Sequence, residues 1–406
     1  MALKLPKKKY LLACSFGPDS MALFTMLLNE GYAFDVAHVN YHLREESNQE
    51  EADLRAYCKK NSIQIYVYDN KNVPKSNIEA KCREIRYRFF KEVYDSDEYA
   101  ALLVAHNQDD LIETYLLQKE RKNLVKYYGI EETTDLFGMR VLRPLLGYSK
   151  ASLEAFCIKT NTPYAIDKSN LEPIYKRNQI RLNVVSKMSD EDRQLILREI
   201  KGCNKDLKHI YDNIKVIDNH INTLLRLSDL EFAYYINSQI KEINPSYKIT
   251  YKQSIEIVKI LRSDKPNVCV TCEQGKVIIE KTYDQVFVRP NNDLDGYMFV
   301  IKNRQVVDNK FFYANLLTDT ANRNISDEDF PLTIRTYEKG DTYLIKDYQV
   351  QVRRLFIDWK MPSLLRKVWP LVLNKEGKII YIPRYRKDFV VDKTLNFYVK
   401  ERFTLK

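Results

Sequence analysis

A chain of 406 residues exceeds one ordinary hydrophobic core, so two or three domains are expected. Its 45% hydrophobic and 30% charged residues, with only 10 Gly, exclude a largely disordered or low-complexity protein. No apolar run approaches the roughly 20 residues of a membrane span, the N-terminus lacks a secretory pattern, and the seven scattered cysteines suit reduced thiols, so a soluble cytoplasmic protein without membrane contact is expected.

The first 105 residues alternate between apolar runs typical of strands and amphipathic runs typical of helices. Strands are predicted over 10–14, 34–40, 63–68 and 101–105, and helices over 20–30, 45–61 and 76–94. The last helix starts at a capping box formed by Ser76 and Glu79. This alternation predicts βα units and therefore an α/β domain with a doubly wound, mostly parallel sheet.

The pattern changes along the rest of the chain. Helices are predicted over 149–161 and 177–187, and residues 189–241 read as charged helix, which suits a helical linker and the start of a middle domain. After about residue 245, short strands alternate with turns, so the C-terminal part is predicted to be α+β. We predict three domains, 1–188, 189–330 and 331–406, with the last boundary at Pro331.

Charge is concentrated in the last of these domains. The chain carries a net charge of +10, and residues 331–406 hold 17 Lys and Arg against 8 Asp and Glu. A polyanionic partner such as nucleic acid and a merely Lys-rich surface explain this excess equally well.

The stretch SFGPDS, Ser15 to Ser20, lies between the first predicted strand and the first predicted helix. A strand, a tight loop and a helix N-terminus form an anion site, because the first helical N–H groups are unpaired and the helix dipole is positive there. The loop lacks the Lys of a Walker A motif, and Asp19 in its middle indicates bound Mg²⁺ or an orienting role. An ordinary turn with Ser20 as N-cap is an equal alternative.

A second turn of the same kind occurs in ALLVAHNQDDLIETYLLQ, residues 101–118. His106, Asp110 and Glu113 follow the fourth predicted strand and share one helix face. Because β-to-α turns of a parallel sheet meet at one edge, both turns are predicted to face one crevice. For Asp109 and Glu113, the alternative is the polar face of a surface helix.

SFGPDS resembles the SGGxDS loop of the N-type ATP pyrophosphatases. Six further blocks occur in the order found in the tRNA(Ile)-lysidine synthetase family, and the resemblance covers about 1–187 and 331–390. These blocks are VAHVNYHLREESNQEEADLRAYC, NIEAKCREIRYRFF, LLVAHNQDDLIETYLL, LRPLLGYSKASLEAFC, IDKSNLEPIYKRNQIRLNVV and, at the far end, VRRLFIDWKMPSLLRKVWPLVL with YIPRYRKDF. The resemblance implies that 1–188 is a PP-loop ATP pyrophosphatase catalytic domain and 331–406 a tRNA-binding domain.

The chain departs from the family pattern at three places. Phe16 replaces the usual second Gly of the loop, and a bulky residue there must avoid positive φ or be strained. Asn107 stands where a second His is common. The stretch after LLQ has no Gly before Gly129.

The resemblance implies a ligase that uses ATP and Mg²⁺ on an isoleucine tRNA with a CAU anticodon. ATP adenylylates the 2-carbonyl oxygen of the wobble cytidine, and the ε-amine of free lysine displaces AMP to give lysidine. The oligomeric state is left open, with a homodimer as one form.

The resemblance also implies roles for particular residues. The ATP-binding loop comprises Ser15, Phe16, Gly17, Pro18, Asp19 and Ser20. The catalytic candidates are Asp19, Asp110, Arg86 and His106, with Asp19 and Asp110 as Mg²⁺ ligands. Substrate and tRNA contacts are assigned to Arg83, Glu113, Arg177, Arg181, Arg353, Arg354, Arg366, Lys367, Arg384, Arg386 and Lys387. Lysine recognition requires a carboxylate, and Asp109, Asp110 and Glu113 all qualify.

Purely structural roles are the alternative for several residues. Arg86 also fits an arginine on the surface of a helix, and Arg143 fits a residue that braces a loop. His38 and His42 also fit residues that pack or form hydrogen bonds at a strand end.

Other functions remain as alternatives. A tRNA thiolase of the same superfamily would require a cysteine near the ATP crevice, and Cys269 and Cys272 lie far along the chain. A non-catalytic RNA-binding protein on the same scaffold is a further alternative, and a small-molecule amidotransferase is disfavoured because no glutaminase cysteine pattern is present. The CxxC pair Cys269 and Cys272 lacks two further zinc ligands.

Overall fold

The computed structural model describes residues 1–43, 45–70, 78–165, 176–291, 296–317, 325–385 and 396–400. The chain divides into two compact units, Met1–His209 and Ile210–Lys406. Within the described ranges, no helix combines the length and apolar character that crossing a membrane requires.

The first unit is built on a six-stranded sheet. Its strands are β1 (Lys9–Ala13), β2 (Ala33–Asn40), β3 (Ile65–Asp69), β4 (Leu102–Val104), β5 (Thr133–Leu136) and β6 (Met139–Leu142). The order is β3-β2-β1-β4-β6-β5, with every neighbouring pair parallel except β5 and β6. The prediction of a mostly parallel sheet is confirmed. The β5–β6 hairpin, which turns through Phe137 and Gly138 at positive φ, was not predicted.

Helices pack on both faces of this sheet. The helices of the first unit are α1 (Pro18–Asn29), α2 (Ser47–Lys60), α3 (Ile78–Asp95), α4 (Gln108–Arg121), α5 (Lys150–Lys159) and α6 (Lys176–Asn183), and α7 (Asp190–Lys215) runs from it into the second unit. Tyr10 and Leu12 of β1 pack with α1, α2 and α5 on one face. Leu11 points to the other face and packs with Tyr87 and Phe90 of α3. This alternation along one strand produces the doubly wound arrangement. The predicted capping residue Ser76 lies outside the described residues.

The second unit begins with helices and continues as antiparallel sheets. Its helices are α8 (Ile221–Leu224), α9 (Asp229–Ile243), α10 (Tyr251–Arg262), α11 (Val352–Asp358) and α12 (Ser363–Val368). Its strands are β7 (Asn267–Cys272), β8 (Val277–Thr282), β9 (Gln285–Pro290), β10 (Met298–Ile301), β11 (Val306–Asp308), β12 (Phe312–Asn315), β13 (Leu332–Arg335), β14 (Thr342–Ile345), β15 (Tyr348–Gln351), β16 (Leu371–Leu373), β17 (Ile379–Tyr381) and β18 (Phe397–Val399). Capping boxes start α9 and α10.

Two sheets of the second unit share one core. The sheet β10-β13-β16-β17 contributes Ile301 and Ile334, and the sheet β11-β12-β18 contributes Phe312 and Phe397. Helices α11 and α12 form a second core with β16 and β17. Strands β10 and β13 pair although they lie on either side of Pro331, the predicted domain boundary.

Cys269 and Cys272 lie on β7, which sets them on opposite faces of a strand because their spacing is odd. Cys269 is exposed and Cys272 is buried, and both are free thiols. This geometry does not suit joint binding of one metal ion.

Candidate active site

The loop after β1 leads into a helix whose N-terminus has no side-chain cap. Gly17 is the N-cap residue in an extended conformation, and Pro18 is the first helical residue. Ser20 therefore lies inside the helix, and its assignment as N-cap is wrong. The Ser20 hydroxyl donates to the Gly17 carbonyl at 3.0 Å. The first N–H groups of α1 therefore form a potential anion site. Ser15, at the same turn, is exposed.

Gly17 leaves the backbone of this turn accessible. Its φ of −77° is available to any residue. A Cβ at this position would lie 3.6 Å from Ser15 Oγ, which is ordinary contact. What glycine provides here is the absence of a side chain over the helix N-terminus, not an unusual backbone conformation.

Phe16 adopts the left-handed conformation that a glycine would normally occupy. Its φ is 64°, and its side chain is buried in the core that α1 shares with the sheet. The Phe16 carbonyl accepts a hydrogen bond from the Ala165 amide at 2.9 Å. Packing and this hydrogen bond hold a strained residue in place, so the departure from the family loop keeps the glycine-like backbone.

His38 supports the loop from the neighbouring strand β2. Its Nδ1 atom lies 2.8 Å from the Cys14 carbonyl, to which it donates, and the side chain is buried. Burial lowers the pKa of His38. His38 therefore acts as a packing and hydrogen-bonding residue, while His42 pairs with Asp69 at the end of β3.

Asp19 carries a buried carboxylate oxygen beside this helix end. Its Oδ1 atom has no hydrogen-bond partner among the residues that the structure describes. Burial raises the pKa of Asp19 to about 6; the Asn107 side chain opposes this rise by hydrogen bonding, and the charge of Asp110 adds to it. An orphaned carboxylate oxygen suits contact with a cation.

The second turn, after β4, brings Asn107 and Asp110 to the same place. Asn107 is the N-cap of α4, and its side chain accepts from the Asp110 amide at 3.1 Å. Asp110 Oδ2 accepts from the Asn107 amide at 3.1 Å, which completes a capping box. The N-x-x-D spacing carries this signal in the sequence. Asn107, at the position where a second His is common in the family pattern, therefore caps helix α4.

Arg181 of α6 joins two of the three carboxylates that are candidates for lysine recognition. Its Nε and Nη2 atoms donate to the two oxygens of Glu113 at 2.6 and 3.0 Å. Nη2 also donates to Asp110 Oδ1 at 3.2 Å. Glu113 is fully buried, whereas the Asp110 side chain is 14% exposed. Burial acts to lower the pKa of Arg181. The hydrogen bond to Glu113 and the negative charges of Glu113 and Asp110 outweigh this effect, so the pKa is raised.

Asp109 has different partners. Its oxygens accept from Arg193 of α7 at 2.9 and 3.2 Å and from the Lys150 amide at 3.2 Å. Arg193 also donates to the Val185 carbonyl. Asp109 therefore ties α4 to α5 and α7. Arg193 was not among the predicted residues, since nothing in the local pattern links positions 84 apart.

His106 and Arg143 follow two adjacent parallel strands, β4 and β6. Leu103 of β4 pairs with Leu142 of β6, so the residues that follow them lie at one edge of the sheet. Arg143 Nε donates to His106 Nδ1 at 3.2 Å. Arg143 is buried, and Nη1 donates to the Glu131 carbonyl and Thr134 Oγ1.

The remaining predicted cations differ in their surroundings. Arg83 stacks on Tyr87 with its Cζ 4.7 Å from the ring centre. Arg86 lies near Tyr41. Burial raises the pKa of Tyr41 to about 12, although the positive charge of Arg86 acts to lower it. Exposed side chains are Arg353, Arg354, Lys367 and Arg384. Arg366 is half-buried and donates to the Met361 carbonyl and Tyr283 hydroxyl. The Arg177 side chain, Arg386 and Lys387 lie outside the described residues.

The described residues offer one good candidate ligand for Mg²⁺. No group of three or more His, Cys, Asp and Glu side chains in the described part of the chain is arranged to hold a metal ion alone. Mg²⁺ often takes one or two carboxylates and completes its shell with water and substrate phosphates. The orphaned Asp19 Oδ1 fits such a ligand. Both Asp110 oxygens already accept hydrogen bonds, which makes Asp110 the weaker candidate.

Comparison with known proteins covers both units. The PP-loop domain family matches residues 2–188. The tRNA(Ile)-lysidine synthase of Mycoplasma mycoides is 31% identical over 395 residues, covering 92% of this chain and 96% of that protein. The tRNA(Ile)-lysidine synthase of Staphylococcus aureus strain N315 is 29% identical over 402 residues, covering 91% of each chain.

Solved structures show weaker likeness. The U34-tRNA thiolase NcsA from Methanococcus maripaludis, with its [4Fe-4S] cluster, aligns over 52% of this chain and 73% of its own, at 14% identity and a TM-score of 0.36. The TILS C-terminal domain aligns over 23% of this chain and 82% of its own, at 22% identity and a TM-score of 0.18.

Proposed function

The chain belongs to the tRNA(Ile)-lysidine synthase family of ATP-using ligases, and on that premise we propose that it joins free lysine to the wobble cytidine of tRNA(Ile) bearing a CAU anticodon. In the first step the cytidine 2-carbonyl oxygen attacks the α-phosphorus of ATP, and pyrophosphate leaves. In the second step the lysine ε-amine attacks C2 of the adenylylated cytidine, AMP leaves with the oxygen, and a proton is released. The observation that carries the proposal is the buried Asp19 carboxylate beside the uncapped N-terminus of α1.

The loop at α1 supports binding of the ATP phosphates. The unpaired N–H groups of the helix end, together with the hydroxyl of the exposed Ser15, provide donors for phosphate oxygens, while the Ser20 hydroxyl donates to the Gly17 carbonyl within the loop. When bound, Mg²⁺ supplies positive charge that stabilises the departing pyrophosphate, with Asp19 as its protein ligand. His106, which follows β4, and Arg86 of α3 are the further catalytic candidates that we propose.

We assign recognition of the lysine ammonium to Asp110. Asp109 is engaged by Arg193 and the Lys150 amide. Glu113 is fully buried and held by two hydrogen bonds from Arg181. Asp110 also accepts hydrogen bonds, from Arg181 and the Asn107 amide, and its side chain is as exposed as that of Asp109. We favour it because its charge acts on Asp19, which places it beside the proposed ATP loop. Glu113 and Arg181 then fix the helix face on which Asp110 lies.

The exposed arginines of α11 support binding of the tRNA backbone. Arg353→Glu together with Arg354→Glu is expected to weaken tRNA binding at least about tenfold and to reduce the salt slope of binding by about two, because two phosphate contacts are lost. ATP affinity is expected to stay unchanged. Filter binding over a salt series and ATP titration measure both. Removal of 331–406 is a poorer test, since β13 pairs with β10.

Arg198→Glu with Lys201→Glu on α7 makes the matched control, because both side chains are exposed and the change in net charge is the same. Equal loss of tRNA affinity in both double variants would contradict a specific role for α11.

One assay tests the reaction as a whole. The protein is incubated with Mg-ATP, labelled lysine and a transcript of tRNA(Ile) with the CAU anticodon, and label in the tRNA is counted. ATP-dependent incorporation is expected, with release of one AMP and one pyrophosphate per lysine. A transcript with the anticodon changed to UAU serves as control, since it lacks the wobble cytidine. Absence of ATP-dependent label refutes the proposal.

The competing functions have less support. A thiolase requires an accessible cysteine near the ATP loop, whereas Cys14, Cys58, Cys82 and Cys157 of the first unit are buried and Cys203 is partly buried. Burial raises the pKa of Cys14, which lies directly behind the loop. A non-catalytic RNA-binding protein has no use for the orphaned Asp19 oxygen, so loss of activity on its substitution distinguishes the two.

A further inference from the structure

Arg143 contacts His106 in a way that determines which ring nitrogen can carry the proton. The guanidinium of arginine has only donors and stays protonated at any ordinary pH. Its Nε–H points at His106 Nδ1 over 3.2 Å, so Nδ1 must offer its lone pair. A neutral imidazole with an unprotonated Nδ1 bears its hydrogen on Nε2. A protonated ring would set two N–H groups of two cations against each other.

The surroundings of Arg143 make this arrangement rigid. The side chain is buried, with the Glu131 carbonyl at 2.8 Å and Thr134 Oγ1 at 3.0 Å from Nη1. Both partners belong to the start of the β5–β6 hairpin, and the Arg143 amide donates to the Glu132 carbonyl at 2.9 Å. The hairpin therefore fixes the guanidinium, and the guanidinium fixes the ring.

We infer that Arg143 is a positioning residue that holds His106 in the tautomer protonated at Nε2, so that His106 serves the reaction as a hydrogen-bond donor to a phosphate oxygen of ATP. A free Nδ1 acting as a base is incompatible with the contact. The sheet places His106 at the edge that also holds the ATP loop, because β1 and β4 are parallel neighbours. The assignment of the tautomer rests on the geometry alone. The identity of the hydrogen-bond acceptor as an ATP phosphate rests on the proposed function.

Nitrogen NMR of the full-length protein labelled with ¹⁵N-histidine tests the tautomer directly. The chain has five histidines, and His106→Gln identifies the signals of this ring. The expected result at neutral pH is the shift pattern of a ring protonated at Nε2. Arg143→Gln should convert this to a mixture of tautomers, whereas Arg140→Gln, which changes an exposed arginine on the preceding strand β6, should leave it unchanged. A wild-type ring protonated at Nδ1 overturns the inference, even if Arg143→Gln fails to fold.

Kinetics separate positioning from mere bracing. Arg143→Gln is expected to lower kcat about 10- to 100-fold, as loss of an orienting residue typically does. Combined with His106→Gln, it should cause no further loss, because Arg143 acts through His106. Losses that multiply in the double variant overturn the inference. If the wild-type protein makes no lysidine while the NMR result holds, the proposed function fails and the tautomer assignment stands.

Discussion

Replacement of Asp19 by Asn is expected to lower the rate of lysidine formation about 100-fold or more. The change keeps the shape of the side chain and removes its charge, which lies, with an orphaned oxygen, beside the N-terminus of α1. Loss of a charged group that stabilises a transition state costs several kcal/mol. Release of AMP from Mg-ATP in the presence of tRNA measures the effect, and Mg²⁺ titration should show weaker dependence on the metal.

The same substitution is expected to stabilise the first unit at pH 8. Burial raises the pKa of Asp19 from 3.8 to about 6, so between these values the folded state holds a proton that the unfolded state has released. Stability due to this group therefore falls as pH rises through that window and is constant above it. Asp19→Asn removes the penalty, which we expect to add about 1–3 kcal/mol to the unfolding free energy at pH 8 and almost nothing near pH 4.

Asp53→Asn is the matched control, because Asp53 lies exposed on α2 and its substitution makes the same change in formal charge. It should alter neither activity nor the pH dependence of stability. An Asp19→Asn protein that keeps normal activity would refute the assignment of this residue to the ATP site. One that is destabilised at pH 8 would show that its carboxylate is favourably solvated.

Arg181→Met is expected to destabilise the first unit by about 3–5 kcal/mol. The change removes both hydrogen bonds to Glu113, a carboxylate that is fully buried, and leaves an uncompensated charge in the interior. Urea denaturation followed by fluorescence measures the loss. Addition of Glu113→Gln should recover part of it, because the buried charge is then gone.

Arg55→Met measures how much an ordinary surface ion pair contributes to the free energy of unfolding, for comparison with Arg181→Met. Arg55 pairs with Glu51 one turn earlier on α2, and its side chain is 49% exposed. Loss of such a pair should cost less than about 1 kcal/mol. If Arg55→Met and Arg181→Met destabilise equally, the Arg181 contacts contribute no more than a surface pair.

The repeating parts of the fold could be predicted from the sequence. Strands β1 to β4 and the helices between them follow local periodicity, and β-to-α turns of a parallel sheet necessarily meet at one edge. That logic brought the loop at Asp19 and the turn at Asp110 together correctly. The hairpin β5–β6 was not predicted because each of its strands has four residues and shows little alternation of apolar and polar side chains.

Pairings between distant positions could not be predicted. Arg181 meets Glu113 across 68 residues, and Arg193 meets Asp109 across 84. No local spacing encodes such contacts, so the three candidate carboxylates could not be distinguished until the structure paired Asp109 with Arg193 and both Asp110 and Glu113 with Arg181. The left-handed backbone at Phe16 is likewise a product of tertiary packing, which outweighs about 1–2 kcal/mol of local strain.

That backbone has a thermodynamic consequence for the ligand. A glycine at this position would let the loop sample many conformations, which a nucleotide would then have to restrict on binding. With the Phe16 ring packed in the core and its carbonyl bonded to Ala165, this ordering takes place during folding. In the proposed ATP complex, the loop binds with its conformational entropy already reduced, so we expect more of the contact energy with the phosphates to appear as affinity.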